Sequence, residues 1–253
     1  MLFFMNLNKY LTILFLAISI LTLSSCKKTS LVDDAASTTD MGYDYYPIAL
    51  GNWYIYSVDS IAYDFEDTLY NESYQIKEIY ADTFTDTEGR LSYKIERYKR
   101  ANDSAQWSNS DIWYVTSTSS RVERIEEDVR YEPFVFPPQN ETTWDLNSFN
   151  NYNTYNEWAR EQNKVEIEVK DTLVGQSFVL DTLTSYDNTV TVWHKYETYI
   201  SYQVYKGVYA KNIGLVYKQM IYYKSNVQSM DPILDRISYG VKCTQSLVSY
   251  GTD

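Results

Sequence analysis

The sequence predicts an all-β protein, an antiparallel meander curled into a half-barrel or barrel, preceded by a signal peptide and a flexible tether. From Tyr45 onward apolar side chains recur at every second position, and helical spacing is nearly absent. The 27 Tyr and 6 Trp favour strands, because such side chains suit a pleated, half-buried surface. Strands with one polar face are typical of antiparallel pairing, and the regular strand–helix alternation of a parallel sheet is missing.

The first 25 residues have the composition of an export signal. Lys9 is the only charged residue among them, and an apolar run over residues 11–23 follows it. A spanning helix needs about 20 predominantly apolar residues, so this run favours a cleaved signal peptide over a membrane anchor. Residues 23–26, LSSC, resemble the lipobox of bacterial lipoproteins. The resemblance implies cleavage before Cys26 and attachment of a diacylglyceryl lipid to its sulfur, with palmitate as a typical acyl chain.

Three segments are therefore expected along the chain. They are a lipoprotein signal peptide at 1–25, the lipidated Cys26 with a flexible tether at 26–42, and a single all-β domain at 43–253. The tether is polar, rich in small residues and without periodicity. Asp33 and Asp34 loosely resemble the acidic residues near the lipidated cysteine of lipoproteins displayed on some Gram-negative cells. The expected location is extracytoplasmic and membrane-anchored, at the outer membrane, with its periplasmic face and the cell surface both left open.

Two β-hairpins are predicted within the domain. Strand-rich segments at 70–82 and 90–99 flank a polar connection that ends at Gly89, and glycine adopts the positive φ that short hairpin turns need. A second hairpin is expected to join residues 198–205 to residues 215–223 through a Gly207–Gly214 connection.

Other patterns limit the strands. The alternation from Thr189 to Tyr205 would make a strand longer than about 50 Å at about 3.3 Å per residue, so it must bend, twist strongly or break. Pro133, Pro137 and Pro138 exclude their segment from a central strand. Residues 164–170 alternate cleanly, and a short helix is expected around 155–162.

Two segments near opposite ends of the domain resemble a known group. Residues 45–56, YYPIALGNWYIY, look like the YYPLxxGNxWxY opening of a group of uncharacterised bacterial β-rich lipoproteins. Residues 209–218, YAKNIGLVYK, are similar to the YAxGIGLVY segment of that group. Asn212 stands where glycine is usual, and asparagine tolerates a left-handed backbone. The resemblance implies the fold and the location, and it implies no activity, because the group has none that could be carried over.

Charge and cysteine content exclude several function classes. The formal net charge of −12 argues against nucleic acid, since phosphate binding needs clustered Lys and Arg. With Cys26 committed to lipid, Cys243 has no intramolecular partner for a disulfide and is predicted to be a small buried hydrophobe. One histidine and one thiol do not make a zinc site, and no cofactor motif is present.

Each residue that suggests catalysis or metal binding also has a structural explanation. His194, the only histidine, shares its parity with Val192 and is expected to be a core residue of the barrel rather than a catalytic base. Residues 126–128 (EED) and 66–67 (ED) could supply acid/base carboxylates, but sequence neighbours on a strand point to opposite faces, so solvated strand edges and turns are favoured. Residues 82–89 contain calcium-type oxygen ligands, yet depart from the calcium-loop spacing and favour a polar hairpin tip.

The aromatic side chains indicate binding more than the polar ones do. So many tyrosines exceed what a core of this size hides, and exposed rings could bind sugars, peptides or envelope polymers, with residues 144–158 as the best local candidate. The leading hypothesis is a non-enzymatic, lipid-anchored binding or structural module of the cell envelope. The alternatives are a carboxylate-dependent hydrolase of envelope or dietary polymers and a carrier of an apolar ligand. Facing carboxylates of raised pKa would favour the hydrolase, and a large apolar cavity the carrier.

Overall fold

The computed structural model describes residues 40–64, 69–149, 168–169, 171–227 and 229–253. Cys26, the 66–67 pair, the expected helix at 155–162 and most of the 164–170 segment lie outside the described residues. The part from Asp40 to Asp253 forms one compact unit.

Strands make up nearly all regular structure in the described ranges, which contain two short 3-10 turns, Tyr43–Tyr45 and Ile233–Asp235, and no α-helix. The all-β prediction is confirmed. The strands are β1 (Asn52–Tyr63), β2 (Leu69–Thr85), β3 (Leu91–Arg100), β4 (Ser108–Ser117), β5 (Arg121–Glu126), β6 (Val129–Val135), β7 (Trp144–Asp145), β8 (Glu168–Val169), β9 (Asp171–Val179), β10 (Ser185–Glu197), β11 (Ser201–Ala210), β12 (Gly214–Lys224) and β13 (Tyr239–Thr252).

Eleven strands form a single sheet in the order β6-β5-β4-β3-β2-β1-β13-β12-β11-β10-β9, and β7 pairs separately with β8. Every pairing is antiparallel, and each half of the sheet is a meander of consecutive strands. The last strand, β13, lies between β1 and β12 and so joins the two meanders. The predicted antiparallel meander is confirmed, with this one non-local pairing added.

Side-chain contacts across the interior show that the sheet curls into a half-barrel. The ring of Phe134 in β6 lies 4.9 Å from the ring of Tyr209 in β11, centroid to centroid, although eight steps in the sheet order separate these strands. The Tyr209 hydroxyl donates to the Pro133 carbonyl at 3.4 Å. Because the edge strands β6 and β9 are not paired with each other, the half-barrel is open.

An irregular segment after β6 crosses the gap between the two edge strands. On one side, the Glu132 amide of β6 donates to the Leu146 carbonyl at 2.8 Å. On the other side, the Asn140 side chain accepts from the Val174 amide of β9 at 2.8 Å. The Glu141 amide also donates to the β9 residue Thr172 at 3.0 Å. The segment therefore covers backbone groups of both edges, which would otherwise be open to pairing with another chain.

The core lies on the concave face, and half of the buried residues of its main cluster are aromatic. In β1 the buried side chains Tyr54, Tyr56 and Val58 alternate with half-buried ones, as the pleat requires. The Tyr54 ring packs edge-on against Tyr80 of β2, with centroids 5.9 Å apart. Each such buried side chain contributes about 1.5–3 kcal/mol by removal of apolar surface from water.

Both predicted hairpins form. The first joins β2 to β3 through a turn in which Gly89 has φ 78° and the Asp86 carboxylate accepts from the Glu88 and Arg90 amides, each at 2.9 Å. The second is shorter than expected at its turn. Gly207 lies inside β11, and only Lys211–Ile213 connects the strands, with Asn212 at φ 63°. The left-handed backbone expected at Asn212 is confirmed.

The long alternating segment from Thr189 to Tyr205 is broken, as its length predicted. β10 ends at Glu197 and β11 starts at Ser201, and the Thr198 amide donates to the Ser201 carbonyl at 2.8 Å to close the turn. Pro133 lies in the edge strand β6, and Pro137 and Pro138 follow that strand, so all three prolines avoid central strands.

Candidate binding cavity

The antiparallel strands give the half-barrel two distinct ends. Asp40 lies at one end, where its carboxylate is 3.2 Å from the Lys211 ammonium in the β11–β12 turn. At the opposite end, called here the distal end, lie the 198–200 turn and the 225–238 connection between β12 and β13. The strand β1 runs from one end to the other, over roughly 35–40 Å at about 3.3 Å per residue.

A cavity of about 650 Å³ opens at the distal end, and is called here the distal cavity. Its volume lies in the range of about 300–1,000 Å³ that is usual for ligand sites. The lining combines tyrosine rings, charged side chains and small residues from both halves of the sheet. It consists of Ser60, Ala62, Tyr63, Asp64, Tyr70, Glu72, Tyr74, Ile76, Arg97, Lys99, Ser110, Asp111, Glu127, Tyr222, Tyr239, Gly240, Val241 and Cys243.

The strand register explains how these residues come together. Ser60 of β1 is paired with Glu72 of β2 on one side and with Cys243 of β13 on the other. Two residues further along, Ala62 is paired with Tyr70 and with Val241. Small side chains on β1 therefore face larger ones on both neighbours, and this difference in size leaves space on the concave face.

Two cation–carboxylate pairs lie in the wall of the distal cavity. The Lys99 ammonium is 2.8 Å from the Glu72 carboxylate and 3.7 Å from the centroid of the Tyr74 ring. The Arg97 guanidinium is 3.2 Å from the Asp111 carboxylate, its register partner in β4. The first pair is partly exposed, whereas only 2% of the Arg97 side chain is exposed.

Beneath the cavity floor, Arg97 joins a buried ion network centred on Glu78. Oε1 of Glu78 accepts from Arg97 Nε at 3.1 Å and from Arg124 Nη2 at 2.6 Å. The indole of Trp113 stacks on the Arg97 guanidinium, at 3.3 Å from its central carbon. Burial acts to raise the pKa of Glu78, but Arg124 and Arg97 outweigh it and hold that pKa below its ordinary value of 4.5. Glu78 is therefore a buried carboxylate that stays charged.

One arginine organises the connection beside the cavity mouth. Arg236 donates through Nη2 to the Tyr199 carbonyl at 2.6 Å and to the Ser229 carbonyl at 2.9 Å, and through Nη1 to the Val227 carbonyl. It thereby joins the β10–β11 turn to the β12–β13 connection. The chain then enters β13 at Tyr239. At the next residue, Gly240, a Cβ atom would clash with the Tyr222 carbonyl oxygen, so only glycine allows this close approach of β13 to β12.

His194 and Cys243 lie where the sequence placed them. His194 is 2% exposed in the middle of β10, facing its register partner Tyr205 in β11, and it does not line the distal cavity. Cys243 is 2% exposed and packs with Val58 and Ile76. Its prediction as a small buried hydrophobe is confirmed, but its position in the cavity lining was not foreseen.

The acidic segments divide among different environments. Glu126 was expected on a solvated strand edge or in a solvated turn, and this is wrong: its side chain is 13% exposed and lies 2.7 Å from Arg124 Nε. Glu127 lines the distal cavity, and both Glu127 and Asp128 have positive φ. Within residues 82–89, Asp86 bonds to its own turn and to Arg90, which agrees with a polar hairpin tip.

In its described part, the aromatic segment at 144–158 has a half-buried ring, Trp144, and an exposed ring, Phe149, and neither lines the distal cavity. The Trp144 indole is half-buried and donates to the Glu132 carbonyl at 2.7 Å. This hydrogen bond holds the irregular segment after β6 against that strand. Residues 150–158 lie outside the described residues. The tyrosines of the distal cavity were missed, although Tyr70, Glu72 and Tyr74 share one face of β2 and mix rings with charge there.

Other chemistry finds little support in the described chain. Burial raises the pKa of Glu132, but Glu132 does not line the cavity. Within the described ranges, no group of three or more His, Cys, Asp or Glu side chains could hold a metal ion. Nor do these ranges contain a helix of sufficient length and hydropathy to span a membrane.

Comparisons with known proteins identify no family. No family model matches the sequence, and no curated protein matches it. A solved structure from Bacteroides fragilis, described as a "putative exported protein with YmcC-like fold", is similar over 82% of this chain and 98% of its own, with 10% sequence identity and a TM-score of 0.38.

Proposed function

We propose that this chain is a lipid-anchored, extracytoplasmic and non-enzymatic binding module of the cell envelope, and that its ligand site is the distal cavity. The observation that carries the proposal is an open cavity of about 650 Å³ lined by five tyrosines and several charged groups. Flat rings beside hydrogen-bonding groups are the features by which proteins hold glycans, peptides and similar polymers.

The position of the cavity fits an anchored module. The described chain begins at Asp40, at the end of the half-barrel opposite the cavity. A lipid on Cys26 and a tether from there to Asp40, the first residue of the compact unit, would then place the cavity away from the membrane, facing an envelope polymer. The resemblance of residues 45–56 and 209–218 to β-rich lipoproteins supports the same location.

Two observations disfavour the alternatives. A hydrolase needs a carboxylate poised as an acid, yet Glu72 and Asp111 are each paired with a cation, and Glu132, with its raised pKa, lies elsewhere. A carrier of an apolar ligand needs an apolar chamber, but tyrosine rings fill the concave face and charged groups line the distal cavity.

Replacing Cys26 by serine tests the anchor. Serine lacks the thiol that the lipid requires, so C26S is expected to lose palmitate labelling and to move from the membrane to the soluble fraction. The matched control is Cys243→Ser, which leaves Cys26 intact and is expected to keep both the label and the membrane location. Labelled, membrane-bound C26S protein would refute the lipid anchor.

A variant of Tyr70 tests the binding site. Tyr70 lines the distal cavity with 56% of its surface exposed, so its ring is available to a ligand. The full chain in detergent is screened on an array of glycans and envelope polymers, and hits are measured by calorimetry. Tyr70→Ala is expected to weaken binding about tenfold, as the loss of a central aromatic contact typically does.

The matched control is Tyr250→Ala, because Tyr250 is 49% exposed and lies outside the cavity lining. It is expected to bind like the wild type. A screen without hits, or hits weakened by Tyr250→Ala but not by Tyr70→Ala, would contradict the proposal.

A further inference from the structure

We infer that the distal cavity selects cationic ligands, and that its occupant is a basic segment of an extended peptide, held by a lysine or arginine side chain. The inference rests on the proposed function, since it names the ligand class of the same site. Three features of the lining carry it: its balance of charge, its rings, and one of its own side chains that already occupies part of the space.

Acidic groups outnumber basic ones in the lining. Four carboxylates line the cavity against two cations, and the whole chain carries a net charge of −12, which draws cations toward its surface. The carboxylates are Asp64, Glu72, Asp111 and Glu127, and the cations are Arg97 and Lys99.

Both cations of the lining are already engaged with carboxylates. Arg97 contacts Glu78 and Asp111, and one face of its guanidinium lies on Trp113. Lys99 is paired with Glu72. An anionic ligand would have to compete with these carboxylates while facing the remaining acids, so the lining favours a positive charge.

The tyrosine rings add a second attraction for cations. The face of an aromatic ring carries partial negative charge and attracts an ammonium or guanidinium group within about 6 Å of its centroid. Five rings line the cavity, beside the carboxylates of the same lining. They belong to Tyr63, Tyr70, Tyr74, Tyr222 and Tyr239.

Lys99 shows how such a site holds a basic side chain. Its ammonium lies 3.7 Å from the centroid of Tyr74 and 2.8 Å from the Glu72 carboxylate, in contact with one ring and one acid. This is the arrangement expected for a lysine side chain of a bound peptide. The side chain of Lys99 therefore acts as an internal occupant, and its removal would leave a ring and an acid for an external cation.

The variant Lys99→Gln tests the ligand class, because removing the Lys99 charge should tighten the binding of a cationic ligand and should not tighten that of a neutral one. The full chain in detergent is titrated with end-blocked trilysine, end-blocked triglutamine and a glucosamine trimer, by calorimetry at low salt. Wild-type protein is expected to bind trilysine at least about tenfold more tightly than triglutamine, and Lys99→Gln to tighten trilysine binding about fivefold. Added salt is expected to weaken binding by screening.

The chain offers a close control in Lys195→Gln. Lys195 is paired with Glu197 at 2.9 Å, lies 5.3 Å from the Tyr202 centroid, and is exposed to a similar extent, but it does not line the cavity. Lys195→Gln removes the same charge from the protein as Lys99→Gln. If the affinity for trilysine is unchanged in Lys195→Gln, the effect of Lys99→Gln can be attributed to the cavity.

Each other outcome overturns a specific statement. A neutral polymer whose binding needs Tyr70 and is unaffected or weakened by Lys99→Gln would refute cation selectivity and leave the proposed binding function standing. Tighter binding of the glucosamine trimer than of trilysine would refute the inference that the occupant is a peptide. No binding of these probes or of any arrayed polymer would refute both the inference and the proposed function.

Discussion

Above pH 10 the protein is expected to unfold cooperatively, because its core contains many buried tyrosines. Burial raises the pKa of Tyr54 and that of Tyr223 to about 12. It also raises the pKa of Tyr56, Tyr80 and Tyr209 well above the ordinary value of 10. These hydroxyls must stay protonated while the core remains packed.

The direction of the effect follows from proton binding. In the unfolded chain tyrosines ionise near pH 10, whereas the folded state holds their protons to higher pH, so the unfolded state becomes favoured as pH rises. The contribution of the buried tyrosines to stability is fully present below pH 10, and it is lost as the pH rises through their pKa values in the folded state. A shift of two pKa units corresponds to about 3 kcal/mol for Tyr54, so a few such groups together are comparable to a typical total stability of about 5–15 kcal/mol.

Tyrosinate absorbance and circular dichroism, followed together from pH 8 to pH 12, measure this transition. Both signals are expected to change in one step above pH 10. Tyr54→Phe removes one buried hydroxyl and is expected to move the midpoint upward, while Tyr250→Phe, on a half-exposed ring, leaves it in place. Gradual ionisation with an unchanged sheet signal would show that the rings are not buried as described.

Glu78→Gln is expected to cost about 3–5 kcal/mol of unfolding free energy at pH 7. The carboxylate is 3% exposed and accepts from both Arg97 and Arg124, so its loss leaves two buried guanidinium groups against a neutral amide. Urea denaturation followed by circular dichroism measures the change. If this variant does not fold, joint replacement of Glu78, Arg97 and Arg124 by apolar residues, together with Glu126→Gln, is expected to restore folding, because the charge of Glu126 is then removed along with its partner Arg124.

Glu96→Gln is the matched control on the neighbouring strand. Glu96 is paired with Lys94 at 2.8 Å, but both side chains are about one-third exposed, and surface pairs contribute only about 0–1 kcal/mol. Equal losses in the two variants would contradict the structural role of the buried network.

The same network makes stability depend on acid. The pKa of Glu78 is lowered in the folded state, so the unfolded state takes up protons first as pH falls. The contribution of Glu78 is present above about pH 4.5 and is lost as pH falls through its folded pKa. In Glu78→Gln this part of the acid dependence is expected to disappear.

Local patterns in the sequence account for most of the secondary structure. Alternation predicted strands, Gly89 predicted the first turn, and Asn212 was expected to tolerate the left-handed backbone of the second. The excessive length of the 189–205 segment predicted that it would bend, twist or break, and it breaks. These features depend on the pleat and on backbone dihedral angles, which neighbouring residues control. His194 and Cys243 each lie on the apolar face of an alternating strand, and this position predicted their burial.

The distal cavity and the ion network depend instead on register between distant segments. Glu78 meets Arg97 and Arg124 across separations of 19 and 46 residues, and β13 meets β1 from the other end of the domain. The sequence places the carboxylate of Glu78 on the inward face of β2, but it does not reveal which cations that carboxylate will meet.

The sequence by itself determined that this chain forms an antiparallel sheet and which strands form two of its hairpins, because these properties follow from local periodicity and turn residues. Only the tertiary structure decided that the sheet stays open, that the segment after β6 crosses its edges, and that tyrosines and acids surround one cavity. Those outcomes follow from the pairing of β13 with β1 and from the curl of the whole sheet, which depends on all of its strands together.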